Sequence, residues 1–397
     1  ALDVGATTIT REMEIACVNA LADLALSESN EKVASYYQNE TMQFGAGYIL
    51  PKPFDPRLIT TIAPAVAQAA IDSGVATRPF DSIDAYRKSL EPLVYRTGNV
   101  MRPIFEKAQN ITHKVIYTDG ENERVLRAVQ DVVDQNYARP LLMGEEAVIL
   151  DTITRLGLRL VKDKHFEVIA PRGQSEHDRI SYACALIKDG AAHAALTGPS
   201  VKLHEQVESI ERCAGRKYND EHMAVMHLLL LENGSFFIAD TSIHEDPTAE
   251  ELAHITVMAA EEVKRFGMTP RAALLSHSNF GGHPSKSALK MAETKKILAQ
   301  IAPNLEVDGE MKAGMALNES IRSKSGKSTL TGNANLLIMP NLDAANITYT
   351  MLKNLANGIS VGPIILGSHL PIHAITQTTT PRGIVNLTSL VSASVKD

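Results

Sequence analysis

Gly332-Asn333-Ala334-Asn335-Leu336-Leu337-Ile338-Met339-Pro340-Asn341-Leu342-Asp343-Ala344-Ala345-Asn346 is the stretch whose reading decides the fold. Leu336 to Met339 form an unbroken apolar run, the pattern of a parallel strand buried on both faces. Pro340 and Asn341 stop it. Asp343 then stands where a helix N-cap is expected, and Ile347, Met351, Leu352 and Leu355 give the helix an apolar stripe that ends at Gly358. A strand whose C-terminal end feeds amides and Asn side chains into a helix start is a natural seat for anionic groups.

Outward from this stretch the same alternation runs back to Lys114. Val115 to Tyr117 reads as a strand, Asp119-Gly120 as a turn, and Glu123 to Gln135 as a helix cored by Val125, Leu126, Val129 and Val132. Further strands are expected at Pro140–Met143, Phe166–Ile169 and Ala194–Leu196, with a helix around Ala183 between the last two. Met226–Leu231 and Phe236–Ala239 flank Asn233-Gly234 and predict a hairpin, which makes the sheet mixed. Thr248 and Glu251 form a capping box for a helix running to Phe266-Gly267. A strand at Ala272–Leu275 delivers Ser276-His277-Ser278-Asn279-Phe280-Gly281-Gly282, followed by a helix from Ser285 and a strand around Val307. Asp308 and Glu310 read as solvated turn residues. The expected fold is α/β, with doubly wound, mostly parallel but mixed sheets in two subdomains, preceded by a helical segment.

Residues 1–80 read differently. Met13, Ala16, Cys17, Ala20, Leu21 and Leu24 recur at helical spacing, Ser27 to Asn39 is a polar loop, and Pro51, Pro53 and Pro56 forbid regular structure. A helix at Ile59–Ser73 ends at Gly74, and residues 81–111 form a charged helical connector. Gly45-Ala46-Gly47 lacks a third glycine and a following helix, so it is a turn rather than a nucleotide loop.

With 397 residues, 44% hydrophobic and no Trp, the chain has ample material for a Val/Ile/Leu/Ala core in two or three domains. A net charge of −7 argues against nucleic acid as a partner. No run reaches the roughly 18 apolar residues of a membrane span. Ala1-Leu2-Asp3-Val4-Gly5 has no secretion-signal pattern and does not begin with Met, so the chain reads as a fragment or cut product. Cys17, Cys184 and Cys213 are too scattered for a disulfide framework, which favours a cytoplasmic location.

The opening stretch resembles the core signature of the phosphate acetyltransferase (phosphotransacetylase) family. So do Lys114-Val115-Ile116-Tyr117-Thr118-Asp119-Gly120-Glu121 with Arg124-Val125-Leu126, Val361-Gly362-Pro363-Ile364-Ile365-Leu366-Gly367, and Ile384-Val385-Asn386-Leu387. The likeness covers residues 112–397 and implies a phosphotransacetylase-like fold related to isocitrate and isopropylmalate dehydrogenases. Ala1-Leu2-Asp3-Val4, the Pro-rich segment and Ile62-Ala63-Pro64-Ala65-Val66-Ala67 are similar to the closing part of malic enzymes. Together they resemble the bacterial hybrid malic enzymes, which convert malate to pyruvate and CO2 while forming NADPH. The resemblance implies that NADP and a divalent metal, Mg or Mn, belong to a malic domain whose catalytic residues have no counterpart here.

If the sheets are doubly wound, Ser276–Gly282, Pro340–Asn346 and Gly362–His373 converge on one crevice. Ser276, Asn279, Asn341, Asn346, Gly362, Thr376 and Gln377 are the candidate contacts for acetyl-coenzyme A. Acetyl transfer from phosphate to a thiol needs a base for a proton whose free pKa is about 8.5. It also needs a donor to the acyl oxygen and a cation for phosphate. The resemblance puts the family's Ser, Arg and Asp positions at Thr376, Gln377 and Gly383. Thr keeps a hydroxyl, Gln carries no charge and Gly accepts no proton, so no catalytic residue is assigned. Arg382 could restore charge but not basicity. The region between Ile169 and Ala194 is shorter than in the family. Arg172, Arg179, Arg212 and Arg216 are therefore read as solvated rather than as coenzyme ligands.

His222 and His227 are five apart, wrong for one helix face, and His369 and His373, four apart, lack the acidic partner of a metalloprotease motif, so no metal site is expected. The sequence thus points to a regulatory domain of a hybrid NADP-dependent malic enzyme that binds acetyl-coenzyme A as effector and forms homo-oligomers. Its rivals are an active phosphate acetyltransferase and a purely architectural oligomerisation domain.

Overall fold

The computed structural model describes residues 1–26, 44–45, 49–51, 55, 57–94, 96–173, 175–217, 223–356 and 358–395. It divides into two compact units, residues 1–99 and residues 100–397. The expected loop at Ser27–Asn39, most of the Gly45-Ala46-Gly47 and Pro-rich segments, and His222 lie outside the described residues.

The first unit holds α1 (Arg11–Leu26), α2 (Arg57–Asp72) and α3 (Ile83–Val94). Met13, Ala67, Ala70 and Val4 are its buried core. Gly74 takes φ +70° and ends α2, the αL conformation that a residue with a Cβ adopts at a cost. A second connector helix, α4 (Arg96–Asn110), spans the division, and its Met101, Ile104, Phe105 and Ala108 are core residues of the second unit.

The second unit continues β1 (Lys114–Tyr117), α5 (Glu123–Asp134), β2 (Arg139–Met143), α6 (Glu146–Arg155), β3 (Glu167–Ile169), α7 (Glu176–Lys188), β4 (Ala194–Thr197) and α8 (Leu203–Ala214). Next come β5 (Ala224–Leu231), β6 (Gly234–Ala239), α9 (Ala249–Arg265), β7 (Arg271–Leu275), α10 (Lys286–Ile301) and β8 (Glu306–Met311). The chain closes with α11 (Ala313–Ala316), α12 (Glu319–Ser323), β9 (Leu336–Ile338), α13 (Leu342–Leu355), β10 (Ile359–Leu366), β11 (Ile372–Ala374) and α14 (Pro381–Ser392).

Two sheets result. One is five-stranded in the order β11-β4-β1-β2-β3, with every pair parallel. The other is six-stranded in the order β10-β5-β6-β9-β7-β8. There β5 runs antiparallel to both β6 and β10, so the hairpin makes this sheet mixed, while β6, β9, β7 and β8 are parallel. Leu231 pairs with Gly234, so the turn itself is Glu232-Asn233. Thr248 and Glu251 make the reciprocal bonds of a capping box at the start of α9.

The main core joins one face of each sheet. Val115, Tyr117 and Leu196 from the first meet Met226, Leu228, Phe237, Leu274 and Leu336 from the second. Between them runs α14, buried continuously from Ile384 to Ser392, as a helix inside a core must be. Its hydroxyls stay bonded: Thr388 Oγ1 to Tyr117 Oη at 2.8 Å and to the Ile384 carbonyl at 2.9 Å, and Ser389 to the Val385 carbonyl at 3.0 Å. A smaller core under α7 and α8 covers the other face of the first sheet. A third, around Ile238, Ala273, Leu337 and Ala345, covers the other face of the second.

Three readings are corrected. Asn341, not Asp343, caps α13, accepting from Ala344 N at 2.9 Å, because the helix starts at Leu342 and Asp343 already lies in its first turn. Asp308 and Glu310 are not solvated turn residues; they lie within β8 at 0% and 3% exposure. Cys184 and Cys213 do come together, bonded across α7 and α8 with Cα atoms 6.0 Å apart. They lie 29 positions apart, and the chain between them leaves α7, passes through β4 and returns in α8 beside its start, which spacing alone does not reveal.

Leu336 is fully buried in β9, between β6 and β7. Leu336→Ala should therefore cost about 2–5 kcal/mol of unfolding free energy, measured by denaturant titration with circular dichroism.

Candidate functional site

In each sheet the parallel strands present their C-terminal ends to one edge, and the crevice opens where the winding reverses. In the five-stranded sheet the reversal lies between β1 and β4. Thr118 and Asp119 follow β1, Gly198 and Ser200 follow β4, and Ile375 and Thr376 follow β11. Glu176, at the start of α7, is only 8% exposed and binds this edge together. It accepts from Thr118 Oγ1 at 2.5 Å and from Gly198 N at 3.0 Å. Asp119 accepts from Ser200 Oγ at 3.0 Å, and Arg179 Nη1 donates to the Thr118 carbonyl at 3.1 Å. Gln206 of α8 donates to the Ile375 carbonyl at 3.0 Å. Burial raises the pKa of both Glu176 and Asp119, against the lowering effect of their hydroxyl donors.

Thr376 sits on a turn of threonines. Its N–H and its hydroxyl each lie 2.9 Å from Thr379 Oγ1, and its hydroxyl lies 3.2 Å from Thr378 Oγ1. Gln377 is exposed, and its carbonyl accepts from Arg124 Nη1, which also donates to the Thr379 carbonyl at 3.1 Å. Arg124 reaches the turn from the start of α5, whose N-cap is Asn122. Its Nε and Nη2 donors make no hydrogen bond with the described residues, which leaves them available to an anion. Gly383 lies in the first turn of α14, its N–H donating to Thr380 Oγ1 at 3.1 Å. A Cβ there would meet Thr379 Cγ2 at 3.0 Å, so the position is closely packed as well as chemically blank.

Arg382 does not replace the missing cation. Its guanidinium lies over the Phe105 ring, 5.4 Å from the centroid. Of the arginines read as solvated, Arg179 serves the crevice floor as described. Arg172 lies 4.6 Å over the Tyr182 ring, and Arg216 Nε donates to Glu211 at 2.7 Å.

In the six-stranded sheet the reversal lies between β7 and β9. Ser276 and Asn279 follow β7: Ser276 Oγ accepts from Ser278 N at 3.3 Å, and Asn279 Oδ1 accepts from Lys312 N at 2.8 Å. Glu310 organises this loop from beneath, accepting from Ser278 Oγ at 2.9 Å and from Gly281 N at 2.6 Å. Asn341 follows β9 as the cap of α13, and Asn346 Nδ2 donates to the Thr241 carbonyl at 3.2 Å. Gly362 is not at a strand end. It lies inside β10, at the register shift between Val361 and Ile364, where φ is 145° and a Cβ would meet His227 Cδ2 at 2.7 Å. The candidates thus fall into separate places: Ser276 and Asn279 in the loop after β7, Asn341 and Asn346 on α13 and its cap, Gly362 inside β10, and Thr376 and Gln377 on the threonine turn. Glu310, Glu176 and Arg124 escaped the site reading. For Glu310 the alternation of Val307, Asp308, Gly309, Glu310 and Met311 within a strand was the available signal.

His227 is buried, stacked on Tyr349 at 4.2 Å and 2.8 Å from Thr241 Oγ1. Burial, then the charge of Lys353, lowers its pKa to about 3. His373 lies in β11 rather than on a helix, and burial and Arg265 lower its pKa to about 3 as well. An open hollow of about 590 Å³ lined by Leu317, Asn318, Glu319, Ser320, Ser323 and Asn333 touches none of the candidate residues.

The pattern of a phosphate acetyl/butaryl transferase matches residues 99–181 and 158–392. The chain belongs to that family. It is 42% identical to an NAD-dependent malic enzyme of Rhizobium meliloti, over 98% of this chain and 54% of the relative. It is also 43% identical to an NADP-dependent malic enzyme of Salmonella typhimurium, over 98% and 55% respectively. The chain therefore spans about half the length of these curated relatives, and its features fit a malic enzyme carrying a phosphate acetyltransferase-like domain. A phosphotransacetylase from Staphylococcus aureus shares the fold, with a TM-score of 0.68, 22% identity, and coverage of 75% of this chain and 98% of that one. No helix among the described residues is long and apolar enough to cross a membrane.

The two neutral buried histidines make the fold acid-sensitive. Their folded pKa lies below the ordinary 6.5, so the stability they contribute is complete above pH 6.5 and is lost as pH falls toward about 3. Each should add up to about 1.4 kcal/mol per pH unit to the slope of unfolding free energy. His227→Gln should flatten that slope in denaturant titrations at stepped pH.

Proposed function

We propose that this chain is the regulatory part of a hybrid NADP-dependent malic enzyme of the cytoplasm, binding acetyl-coenzyme A without transferring its acetyl group. The observation that carries the reading is the threonine turn. Thr376 retains a hydroxyl and Arg124 brings positive charge to its carbonyls, yet the position that should hold the base is Gly383, and the next side chain, Arg382, lies over Phe105. Such a turn can grip an acyl and phosphate-bearing ligand. Losing a general base typically costs ~10²–10⁴-fold in rate. The donors at the turn fit the ligand: Arg124 for an anionic group and the Thr376 hydroxyl for a carbonyl oxygen.

In this reading the parent enzyme decarboxylates malate in its other half, where NADP and the divalent metal belong. Occupancy here inhibits it through a homo-oligomer assembled on the transferase-like unit. Coupling of this kind is typically worth ~1–3 kcal/mol.

One observation favours a second reading, a working transferase. Asp119 follows β1 at the same sheet edge and accepts from Ser200 Oγ, with a pKa raised by burial, as a thiol's base would require.

Isothermal calorimetry with acetyl-coenzyme A and a thiol-release assay with acetyl phosphate separate the two. We expect binding that weakens at least tenfold in Arg124→Ala, with no turnover above the uncatalysed rate. Robust turnover lost in both Asp119→Asn and Thr376→Val would establish the second reading, and no heat at millimolar ligand would leave a purely architectural role.

A further inference from the structure

The pair Cys184–Cys213 lies outside the site just described but is tied to it by two helices. Cys184, on α7, is 1% exposed, whereas Cys213, on the last turn of α8, is partly open to solvent. Their Cα separation of 6.0 Å lies within the span that a disulfide bridges without backbone movement. The bond closes a loop that contains β4 and the Gly198–Ser200 segment of the crevice.

Apart from the disulfide, the helices it joins share one small apolar core and a few polar links. That core sets Ile180, Val207 and Ile210 beside short side chains at Ala183, Ala192, Ala195, Ala214 and Ala374. Polar links fasten the pair toward either end: Ser209 Oγ to His177 Nδ1 at 2.5 Å, and Lys188 Nζ to the Cys213 carbonyl at 2.7 Å. Toward the crevice the same helices supply Glu176 to Thr118 and Gly198, and Gln206 to Thr197 and Ile375. Whatever fixes α7 against α8 therefore fixes the backbone that precedes Thr376.

We propose that Cys184 and Cys213 form a reversible thiol–disulfide couple whose oxidation rigidifies the crevice edge at residues 194–202 and 375–380. The oxidant is a small-molecule disulfide, glutathione disulfide. The thiolate of Cys213, the more accessible sulfur, attacks one sulfur of the oxidant and releases a glutathione thiolate. Cys184, deprotonated, then attacks the mixed disulfide and releases the second glutathione. Two cysteine protons leave, two cysteine sulfurs are oxidised, and one glutathione disulfide is reduced to two thiols. Cys17 lies in the other unit and takes no part. A disulfide acts mainly by restricting the opened ensemble, so its loss is read in local opening rather than in a changed fold.

The inference concerns regulation of the proposed ligand site but is tested without ligand. The whole 397-residue chain is equilibrated with glutathione disulfide or with dithiothreitol. Thiols are then counted, intact mass is recorded, and amide exchange is followed by mass spectrometry. Oxidation should remove two of the three thiols without adding glutathione, and should slow exchange in 194–202 and 375–380 several-fold. Cys213→Ser should exchange like the reduced protein under both conditions, and Cys184→Ser should stop at one glutathione on Cys213. Stable glutathione adducts in the wild type, or identical exchange in oxidised and reduced protein, would overturn the proposal. Calorimetry with acetyl-coenzyme A is a separate measurement, so a failure here leaves the proposed function standing.

Discussion

The structure depends on a helix with no wet face. Every residue of α14 from Ile384 to Ser392 is buried between the two sheets, and its apolar side chains belong to the core that both sheets share. A helix so enclosed has to satisfy its own polar groups, and Thr388 does so by bonding Tyr117 on β1. The N-terminus of this helix is consequently fixed in position, and the threonine turn that precedes it inherits that rigidity. Thr376, Thr379 and Thr380 knit the turn to the first helical residues, and Arg124 clamps it from α5.

That arrangement separates the groups the turn needs for its shape from those a reaction would need. The turn needs hydroxyls and carbonyls for its own hydrogen bonds, whatever stands at Gln377 or Gly383. At Gly383 the Thr380 cap uses only the backbone N–H and asks for no side chain. Around the crevice the polar groups that remain are tightly partnered. Glu176 holds Thr118 and Gly198, and Glu310 holds Ser278 and Gly281. Buried carboxylates that satisfy several donors at once position loops, and they do so whether or not a reaction follows.

Much of the fold was legible residue by residue. Apolar runs of strand length, a capping box at Thr248, the turn at Asn233 and stop signals at Gly74 and Gly267 are local features that obey local rules. The site was less legible, because its errors came from contacts made across the fold. Asp343 has the chemistry of a cap, but the helix begins two residues earlier than such a cap implies. Gly362 looked like a loop glycine until β10 was seen to run through it, with His227 closing the space a Cβ would need. Arg382 looked like a spare cation beside Gly383 until it was found over Phe105, a residue far earlier in the chain.

What the sequence determined by itself was the order and type of the elements, since hydrophobic period, caps and turn residues act over a few positions. It also determined what chemistry Thr376, Gln377 and Gly383 can and cannot supply, because side-chain acidity and charge belong to residue type. The tertiary structure alone decided which strands neighbour which, which charged groups face the crevice, and that two cysteines separated by 29 residues meet. Those outcomes depend on how far apart in the chain two groups may lie while still touching, and no local rule carries that distance.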